Sequence, residues 1–176
     1  MRETAPDIPE IPGVELIRII GEGSFGELWL GKTVEGAFTA VKVVYRSRFK
    51  DDRPFQRELK GFRRFEPVSG GHDGLVQIDQ FGEDLDHGYF HYSMELADDA
   101  TGGEWESEES RPLTLLDYLS DQGPMDERGC LELALHLAKA LGYLHSEGLV
   151  HRDVKPSNIV RIGEQWKLAD IGLMST

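Results

Sequence analysis

The sequence predicts an α+β fold with two parts: a small lobe of five antiparallel strands and one helix, then a second, mainly helical lobe. In residues 14–97, short β-branched stretches alternate with glycine or polar turns, and a single segment has the apolar spacing of a helix. From residue 113 onward, two helical patterns precede a polar loop between short strands. Residues 1–13 are expected to be an extended lead-in, and residues 98–112 an acidic loop between the lobes.

Composition limits the compartment and the partners. The chain has 176 residues, of which 39% are hydrophobic and 29% are charged, as in a soluble globular protein. Its formal net charge of −13 argues against nucleic acid and anionic membranes as general partners, because their phosphates would be repelled. The single cysteine, Cys130, cannot form an intramolecular disulfide, and no apolar run reaches the roughly 18 residues that span a bilayer. We therefore expect a cytoplasmic protein with no membrane segment in this chain.

The first lobe begins with a glycine-rich hairpin. A β-branched strand at Val14–Ile20 leads into the sequence Gly21-Glu22-Gly23-Ser24-Phe25-Gly26, called the glycine turn below, and a second strand follows at Glu27–Gly31. Strand, glycine turn and strand is the order of a hairpin that covers phosphates, whereas a dinucleotide-binding turn would lead into a helix. The alternative for so short a pattern is an ordinary hairpin turn.

Two charged residues occupy apolar surroundings in this lobe. Lys42 lies on the apolar face of a third strand, Phe38–Val44, and Glu58 lies on or beside the apolar stripe of a helix at Asp52–Glu66. Burying either charge without a partner would cost several kcal/mol. We expect the two to pair, with a nucleotide phosphate as the third member. The alternatives are that Lys42 extends to solvent, or that Glu66 at the helix end takes the place of Glu58.

Two further strands and an acidic segment follow. A loop and fourth strand occupy His72–Phe81, and a fifth strand occupies Tyr89–Leu96. Residues 98–112, called the acidic segment below, hold six carboxylates and two glycines, which predicts a mobile loop. An alternative role for this segment is to attract basic substrates.

Two helices open the second lobe. The first, Leu113–Ser120, has Thr114 and Asp117 in the positions of a capping box. The second runs from Asp126 to about Glu147 and ends at Gly148. Its apolar stripe, which predicts burial, comprises Cys130, Leu133, Ala134, Leu137, Leu141 and Leu144. We expect Cys130 to be a core residue on this stripe and not a nucleophile.

A loop of reactive side chains follows the long helix. Residues 151–158, called the polar loop below, read His-Arg-Asp-Val-Lys-Pro-Ser-Asn, and a short strand later leads to Asp170. Asp153 can accept a hydrogen bond from an attacking hydroxyl, and Lys155 can neutralise a phosphate. Asn158 and Asp170 offer hard oxygens to Mg²⁺. A lone aspartate in a loop is usually a turn residue, so only the combination indicates chemistry.

In this order and at these spacings, the features resemble the eukaryotic-like, or Hanks-type, serine/threonine protein kinases over about Leu16–Thr176. The resemblance implies a protein-kinase fold, ATP and Mg²⁺ as cofactors, and a protein substrate with a serine or threonine hydroxyl. The nucleotide-binding residues that it implies are Gly21, Glu22, Gly23, Ser24, Gly26, Leu28, Ala40, Lys42, Met94, Glu95 and Ala97. The implied catalytic residues are Asp153 as the base, Lys155 at the γ-phosphate, and Lys42 paired with Glu58. The implied metal ligands are Asn158 and Asp170.

The sequence departs from this family in two places. Ile171 stands where the family usually has phenylalanine, and the chain ends at Thr176, before the activation segment and the helices that normally cover the long helix. We therefore expect an incomplete kinase domain, with an uncovered apolar helix face available to a partner or to self-association. The alternative is a non-catalytic, kinase-like module that binds nucleotide or docks on a partner.

Overall fold

The computed structural model describes residues 8–170. A five-stranded antiparallel sheet in the order β1-β2-β3-β5-β4 forms the first part, and a two-stranded antiparallel sheet, β6-β7, lies in the second. In chain order the elements are β1 (Val14–Glu22), β2 (Gly26–Thr33), β3 (Phe38–Tyr45), α1 (Asp52–Phe65), β4 (Ile78–Asp84), β5 (Tyr89–Met94), α2 (Leu115–Gln122), α3 (Glu127–Ser146), β6 (Ile159–Ile162) and β7 (Gln165–Leu168). The predicted α+β class, with five strands and one helix in the first lobe, is confirmed.

Strand β3 is the centre of the large sheet because it pairs with both β2 and β5. Ala40 and Val44 point into the main core, and Val41 and Val43 point into a second core on the outer face. Burial on both faces explains why β3 is almost continuously apolar. The same alternation places Lys42 on the inner face, as the sequence predicts.

The lead-in packs against the outer face of the sheet. Ile11 is buried in the second core, and the hydroxyl of Tyr89 donates to the carbonyl of Glu10 at 3.4 Å. Residues 1–7 of the predicted lead-in lie outside the described residues.

Helix α1 covers the inner face of the sheet. Asp51 caps its N-terminus by accepting a hydrogen bond from the Arg53 amide at 3.0 Å. The predicted stripe is fully buried and consists of Phe55, Leu59, Phe62 and Phe65. Phe62 stacks on Tyr92 of β5 with the ring centroids 4.0 Å apart, which fixes the helix against the sheet.

Helices α2 and α3 begin at the predicted caps. Thr114 and Asp117 form a reciprocal capping box at the start of α2. Asp126 caps α3 by accepting a hydrogen bond from the Gly129 amide at 2.8 Å. No helix among residues 8–170 is long and apolar enough to cross a membrane.

The predicted burial of Cys130 is wrong, because this side chain is exposed. Ala134 on the same predicted stripe is also exposed, whereas Ala140 and Leu144 are fully buried. Among the described residues, α3 packs mainly on β7 and, through Tyr143, on the segment before β4. Its N-terminal half is covered only along Leu133 and Leu137, which are partly buried against the core, and the remaining face of this half is uncovered. Leu131 and Leu135 are 64% and 58% exposed on this uncovered face. Association through it stays a prediction.

The acidic segment has no helix or strand, but it is anchored at both ends. Asp99 is buried and accepts hydrogen bonds from the amides of Thr101 and Arg111, both at 3.0 Å. Burial alone would raise the pKa of Asp99, but hydrogen bonds from these and neighbouring groups lower it to about 2. Arg18 of β1 donates to the carbonyls of Ser107 and Ser110 at 2.8 and 2.9 Å. These anchors argue against the free mobility that the composition indicates.

Candidate active site

A cavity of about 520 Å³ lies between the glycine turn, β3, α1 and the polar loop. Its walls include every residue that the sequence analysis assigned to nucleotide, catalysis or metal. These residues are Gly21, Glu22, Gly23, Ser24, Gly26, Leu28, Ala40, Lys42, Glu58, Met94, Glu95, Ala97, Asp153, Lys155, Asn158 and Asp170. The fold thus brings into one site residues that are up to 149 positions apart in the chain.

The glycine turn forms the roof of the cavity. The Gly23 amide donates to the Gly26 carbonyl at 2.9 Å, which closes the turn. A Cβ atom on Gly26 would lie 2.1 Å from the carbonyl oxygen of Val43, so only glycine fits there. A Cβ atom on Gly23 would lie 3.4 Å from the Lys42 ammonium, which shows how closely the roof approaches this lysine.

The predicted ion pair between Lys42 and Glu58 is not formed. Lys42 Nζ lies 3.7 Å from Asp170 Oδ1, and within residues 8–170 no ion pair joins Lys42 to Glu58. Burial raises the pKa of Glu58 to about 7, the charge of Arg57 opposes this rise, and the charge of Asp170 adds to it. In this geometry Asp170 takes the place of Glu58 as the partner of Lys42.

The polar loop holds Asp153 in a charged, hydrogen-bonded state. Its Oδ2 accepts hydrogen bonds from Lys155 Nζ at 2.7 Å and from Asn158 Nδ2 at 2.8 Å. The hydrogen bond from Lys155 lowers the pKa of Asp153, burial opposes this effect, and Asn158 reinforces it. An ionised carboxylate at the mouth of the cavity can accept a hydrogen bond or a proton from an incoming hydroxyl.

His151 joins the polar loop to the end of β7. Its imidazole is almost fully buried, its Nε2 lies 3.2 Å from the Ala169 carbonyl, and its Nδ1 lies 3.4 Å from the Asp153 amide. These partners assign the proton to Nε2, and burial lowers the pKa of this histidine, which favours the neutral ring. No role was predicted for His151, because its only signal in the sequence is its place at the head of the polar loop.

Two residues of the site have left-handed backbone conformations that non-glycine residues rarely adopt. Arg152 has φ of 65° and Asp170 has φ of 54°. Such strain persists where several contacts fix the backbone. Here His151 Nε2 contacts the Ala169 carbonyl, and the Ala169 amide donates a hydrogen bond to the Asn158 carbonyl.

The segment Met94–Ala97 forms the back of the cavity and is tied to its neighbours. Thr39 donates to the Met94 carbonyl at 2.9 Å. The Glu95 carboxylate pairs with Lys167 of β7, with both oxygens 2.8 Å from the ammonium, so the side chain of Glu95 is already engaged. Trp105 of the acidic segment donates its indole N–H to the Ala97 carbonyl at 2.9 Å.

The cavity is also lined by residues for which the sequence predicted no role. Ile20, Val76, Leu96 and Val160 add apolar surface. Arg111 brings a polar group from the end of the acidic segment, and Thr114 brings one from the N-cap of α2. Their signal in the sequence was only apolar character or proximity to assigned residues, which many other positions share.

A magnesium ion would find two hard oxygen donors here, the Asn158 amide and the Asp170 carboxylate. Among residues 8–170 no cluster of three or more His, Cys, Asp or Glu residues could hold a metal by itself. Mg²⁺ is usually held by one or two carboxylates together with substrate phosphates and water. The donor set therefore fits an ion that binds together with a nucleotide.

Comparisons with known proteins agree with this arrangement. Residues 14–176 match the family described as protein kinase domain. Serine/threonine-protein kinase pkn2 of Myxococcus xanthus is 32% identical over 96% of this chain and 19% of its own length. Serine/threonine-protein kinase cds1 of Schizosaccharomyces pombe is 30% identical over 90% of this chain and 32% of its own length. A calcium/calmodulin-dependent protein kinase type 1 of Macrobrachium nipponense is 28% identical over 88% of this chain and 41% of its own length. The chain thus spans less than half the length of these relatives.

Proposed function

The chain belongs to the protein kinase family, and on this basis we propose that it transfers the γ-phosphate of ATP, in the presence of Mg²⁺, to serine or threonine hydroxyls of a protein substrate. The observation that carries the proposal is the convergence of the glycine turn, Lys42, Asp153, Asn158 and Asp170 on one cavity. Each group has a part in phosphoryl transfer, in which catalysis consists mainly of positioning and charge neutralisation.

The cavity has an apolar end and a polar end that match the two ends of ATP. Leu28, Ala40 and Met94 form an apolar slot suited to a flat base. The backbone amides of the glycine turn and the Lys42 ammonium are suited to phosphate oxygens. We infer that the base lies against the slot and the triphosphate beneath the glycine turn.

Asp153 is the group in this site best placed to receive the proton of a substrate hydroxyl. Its carboxylate is ionised at neutral pH and is held by Lys155 and Asn158. Lys155 is exposed and carries a positive charge beside it, which would neutralise the transferred phosphoryl group. Asp153 thus orients the hydroxyl and accepts its proton, and Lys155 stabilises the charge that develops.

Asn158 and Asp170 are the residues that would hold Mg²⁺. When bound, Mg²⁺ neutralises negative charge on the nucleotide phosphates. The amide group of Asn158 donates to both the backbone carbonyl and the carboxylate of Asp153, which orients its oxygen for a ligand role. Asp170 is half-exposed and is paired only loosely with Lys42, so it is accessible to a cation.

Two observations favour serine and threonine over tyrosine as the acceptor. The relatives described above are named serine/threonine or calcium/calmodulin-dependent protein kinases. Lys155 is followed by Pro156 and Ser157, a pattern typical of serine/threonine kinases.

A non-catalytic, nucleotide-binding module is the second candidate function. The observation that favours it is the pairing of Lys42 with Asp170 in place of Glu58. Such a module would bind ATP in the same cavity but would transfer no phosphate.

Thermal unfolding of the 176-residue chain with and without Mg²⁺ and ATP tests nucleotide binding. A ligand that binds only the folded state stabilises it by about 2.7 kcal/mol at a hundredfold excess over its dissociation constant. We expect a cooperative transition that rises when Mg²⁺ and ATP are both present. A cooperative transition that does not move would rule out both candidate functions. If the transition rises, transfer of labelled γ-phosphate to serine or threonine peptides separates the two.

A further inference from the structure

An arginine from a neighbouring segment contacts the glycine turn from outside the cavity. Arg48 lies in a 3₁₀ helix, Arg46–Arg48, that directly follows β3. Its Nη1 donates to the backbone carbonyls of Gly23 and Gly26, both at 3.3 Å, and its Nη2 pairs with the carboxylate of Glu27. One guanidinium therefore holds the middle and the C-terminal end of the turn as well as Glu27, for which its planar fork of donors is suited.

The carboxylate that receives Arg48 is itself fixed. Glu27 Oε2 accepts hydrogen bonds from the Tyr45 hydroxyl at 2.8 Å and from the Trp29 indole at 3.2 Å. The side chain of Glu27 is 15% exposed and that of Arg48 is 31% exposed, so solvent screens this pair only partly. The guanidinium also lies over the Tyr45 ring, 5.3 Å from its centroid. Arg48 is thus attached to Glu27 of β2 and Tyr45 of β3, two residues that lie outside the turn.

The tip of the glycine turn has a second attachment to the same connecting segment. Phe25 stacks on Phe49, with ring centroids 4.4 Å apart and planes at 7°. Phe49 in turn contacts Phe55 of α1 edge to face at 5.7 Å. The turn is therefore held by polar contacts through Arg48 and by ring contacts through Phe49.

These contacts matter because the turn contains three glycines. Glycine has the largest backbone freedom of any residue, so a free turn of this composition would lose much entropy when it closes on a ligand. Holding the turn in place before binding avoids most of that loss. The place in which it is held is directly above Lys42, since a Cβ atom on Gly23 would lie 3.4 Å from the ammonium.

We propose that Arg48, assisted by Phe49, is a positioning residue that holds the glycine turn above Lys42 for the triphosphate of ATP. This inference rests on the proposed function, because it assumes that ATP binds in the cavity. The phosphates lie beneath the turn, whereas the base lies against Leu28, Ala40 and Met94. Loss of Arg48 therefore weakens the binding of triphosphate and leaves the binding of the nucleoside nearly unchanged.

The experiment compares Arg48→Met with Arg46→Met in the 176-residue chain. Arg46 belongs to the same 3₁₀ helix and pairs with Asp52 at 2.7 Å on the surface, so its replacement makes the same charge change without touching the turn. Amide hydrogen exchange of Gly23 is measured without ligand, and dissociation constants are measured for Mg-ATP and for adenosine. Arg48→Lys is included because it keeps the charge but not the fork.

In Arg48→Met we expect faster exchange at Gly23 and a dissociation constant for Mg-ATP raised about threefold to tenfold, with that for adenosine changed by less than about twofold. Arg46→Met should behave as the unmodified chain, and Arg48→Lys should lie between the two.

Several results would overturn the inference. Unchanged or tighter Mg-ATP binding by Arg48→Met would show that Arg48 does not position the glycine turn for the triphosphate, while leaving the proposed function intact. An equal loss in Arg46→Met would assign the effect to net charge, and an equal loss for adenosine would assign it to general damage. If the unmodified chain binds neither Mg-ATP nor adenosine, the proposed function fails and this inference fails with it.

Discussion

Lys42 faces Asp170 across 3.7 Å, although the buried carboxyl of Glu58 lines the same cavity. The free protein thus places its one lysine of the inner β3 face on the aspartate that is proposed to bind Mg²⁺. A nucleotide phosphate would compete with Asp170 for Lys42, and a metal ion would compete with Lys42 for Asp170. Glu58 is left without an ion-pair partner among the described residues. The effect of its protonation on the stability of the fold can therefore be measured.

Replacing Glu58 by glutamine should remove a pH dependence of stability. Burial raises the pKa of Glu58 from 4.5 to about 7, so the folded state keeps a proton that the unfolded state has lost between these values. Stability therefore falls as the pH rises from about 4.5 to 7, by roughly 3 kcal/mol at 1.36 kcal/mol for each pKa unit. In urea unfolding without nucleotide, Glu58→Gln should match the unmodified chain near pH 4.5 and exceed it at pH 8. Glu66→Gln, an exposed change at the end of the same helix, is the control and should show no such gain. Identical urea unfolding curves of Glu58→Gln and the unmodified chain at pH 8 would contradict the raised pKa of Glu58.

Replacing Asp153 by asparagine should stop transfer but not binding. The carboxylate serves the hydroxyl and not the phosphates, so transfer should fall about a hundredfold or more. The dissociation constant of Mg-ATP should stay within about twofold of the unmodified value. Phosphate transfer to peptides and calorimetric titration measure the two quantities. Asp121→Asn, at an exposed position of α2, is the control, and near-normal transfer by Asp153→Asn would exclude the role as base.

Replacing Lys42 by methionine should weaken the binding of Mg-ATP by about tenfold or more, because a charge-assisted contact to phosphate is lost in a partly buried site. The thermal shift caused by Mg-ATP should shrink accordingly. Lys60→Met makes the same change on the exposed face of α1 and should keep the full shift. A full shift in Lys42→Met would mean that the phosphates do not lie where we place them.

Two glycine substitutions should have opposite effects on stability. In Gly26→Ala the added methyl group would lie 2.1 Å from the Val43 carbonyl, so we expect a loss of about 2 kcal/mol or more as the strands shift apart. In Gly142→Ala nothing lies within 4 Å of the added methyl group, and alanine in this helix should add about 0.5–1 kcal/mol. Urea unfolding of both variants measures the difference. Equal stabilities would show that the turn and β3 do not approach as closely as described.

Periodicity and residue type predicted much of this molecule. Alternation in β3 placed Lys42 on the inner face, and the stripe of α1 identified the residues that are buried there. The residues assigned from the glycine turn, the polar loop and Asp170 all line one cavity. Such features depend on local spacing, which the chain carries in short stretches.

The parts that sequence analysis missed depend on competition between distant neighbours. Two carboxyls, Glu58 and Asp170, line the same cavity as Lys42, and spacing in the sequence does not reveal which of them lies within reach of the ammonium. Cys130 shares the period of a buried stripe but is exposed, whereas Leu133 of the same stripe is partly buried against the core. The charge of the acidic segment concealed its anchors, because Arg18 contacts it from 89 residues away.

The bond from the Trp105 indole to the Ala97 carbonyl has a consequence for small-molecule inhibitors. A compound that places its own donor on this carbonyl must first displace the indole and leave its N–H without a partner, which costs affinity. Compounds that bind the back of the cavity without using this carbonyl incur no such penalty. We therefore expect this protein to bind compounds that avoid the Ala97 carbonyl more tightly than compounds that use it. In Trp105→Phe the dissociation constants of the two kinds of compound should lie closer together.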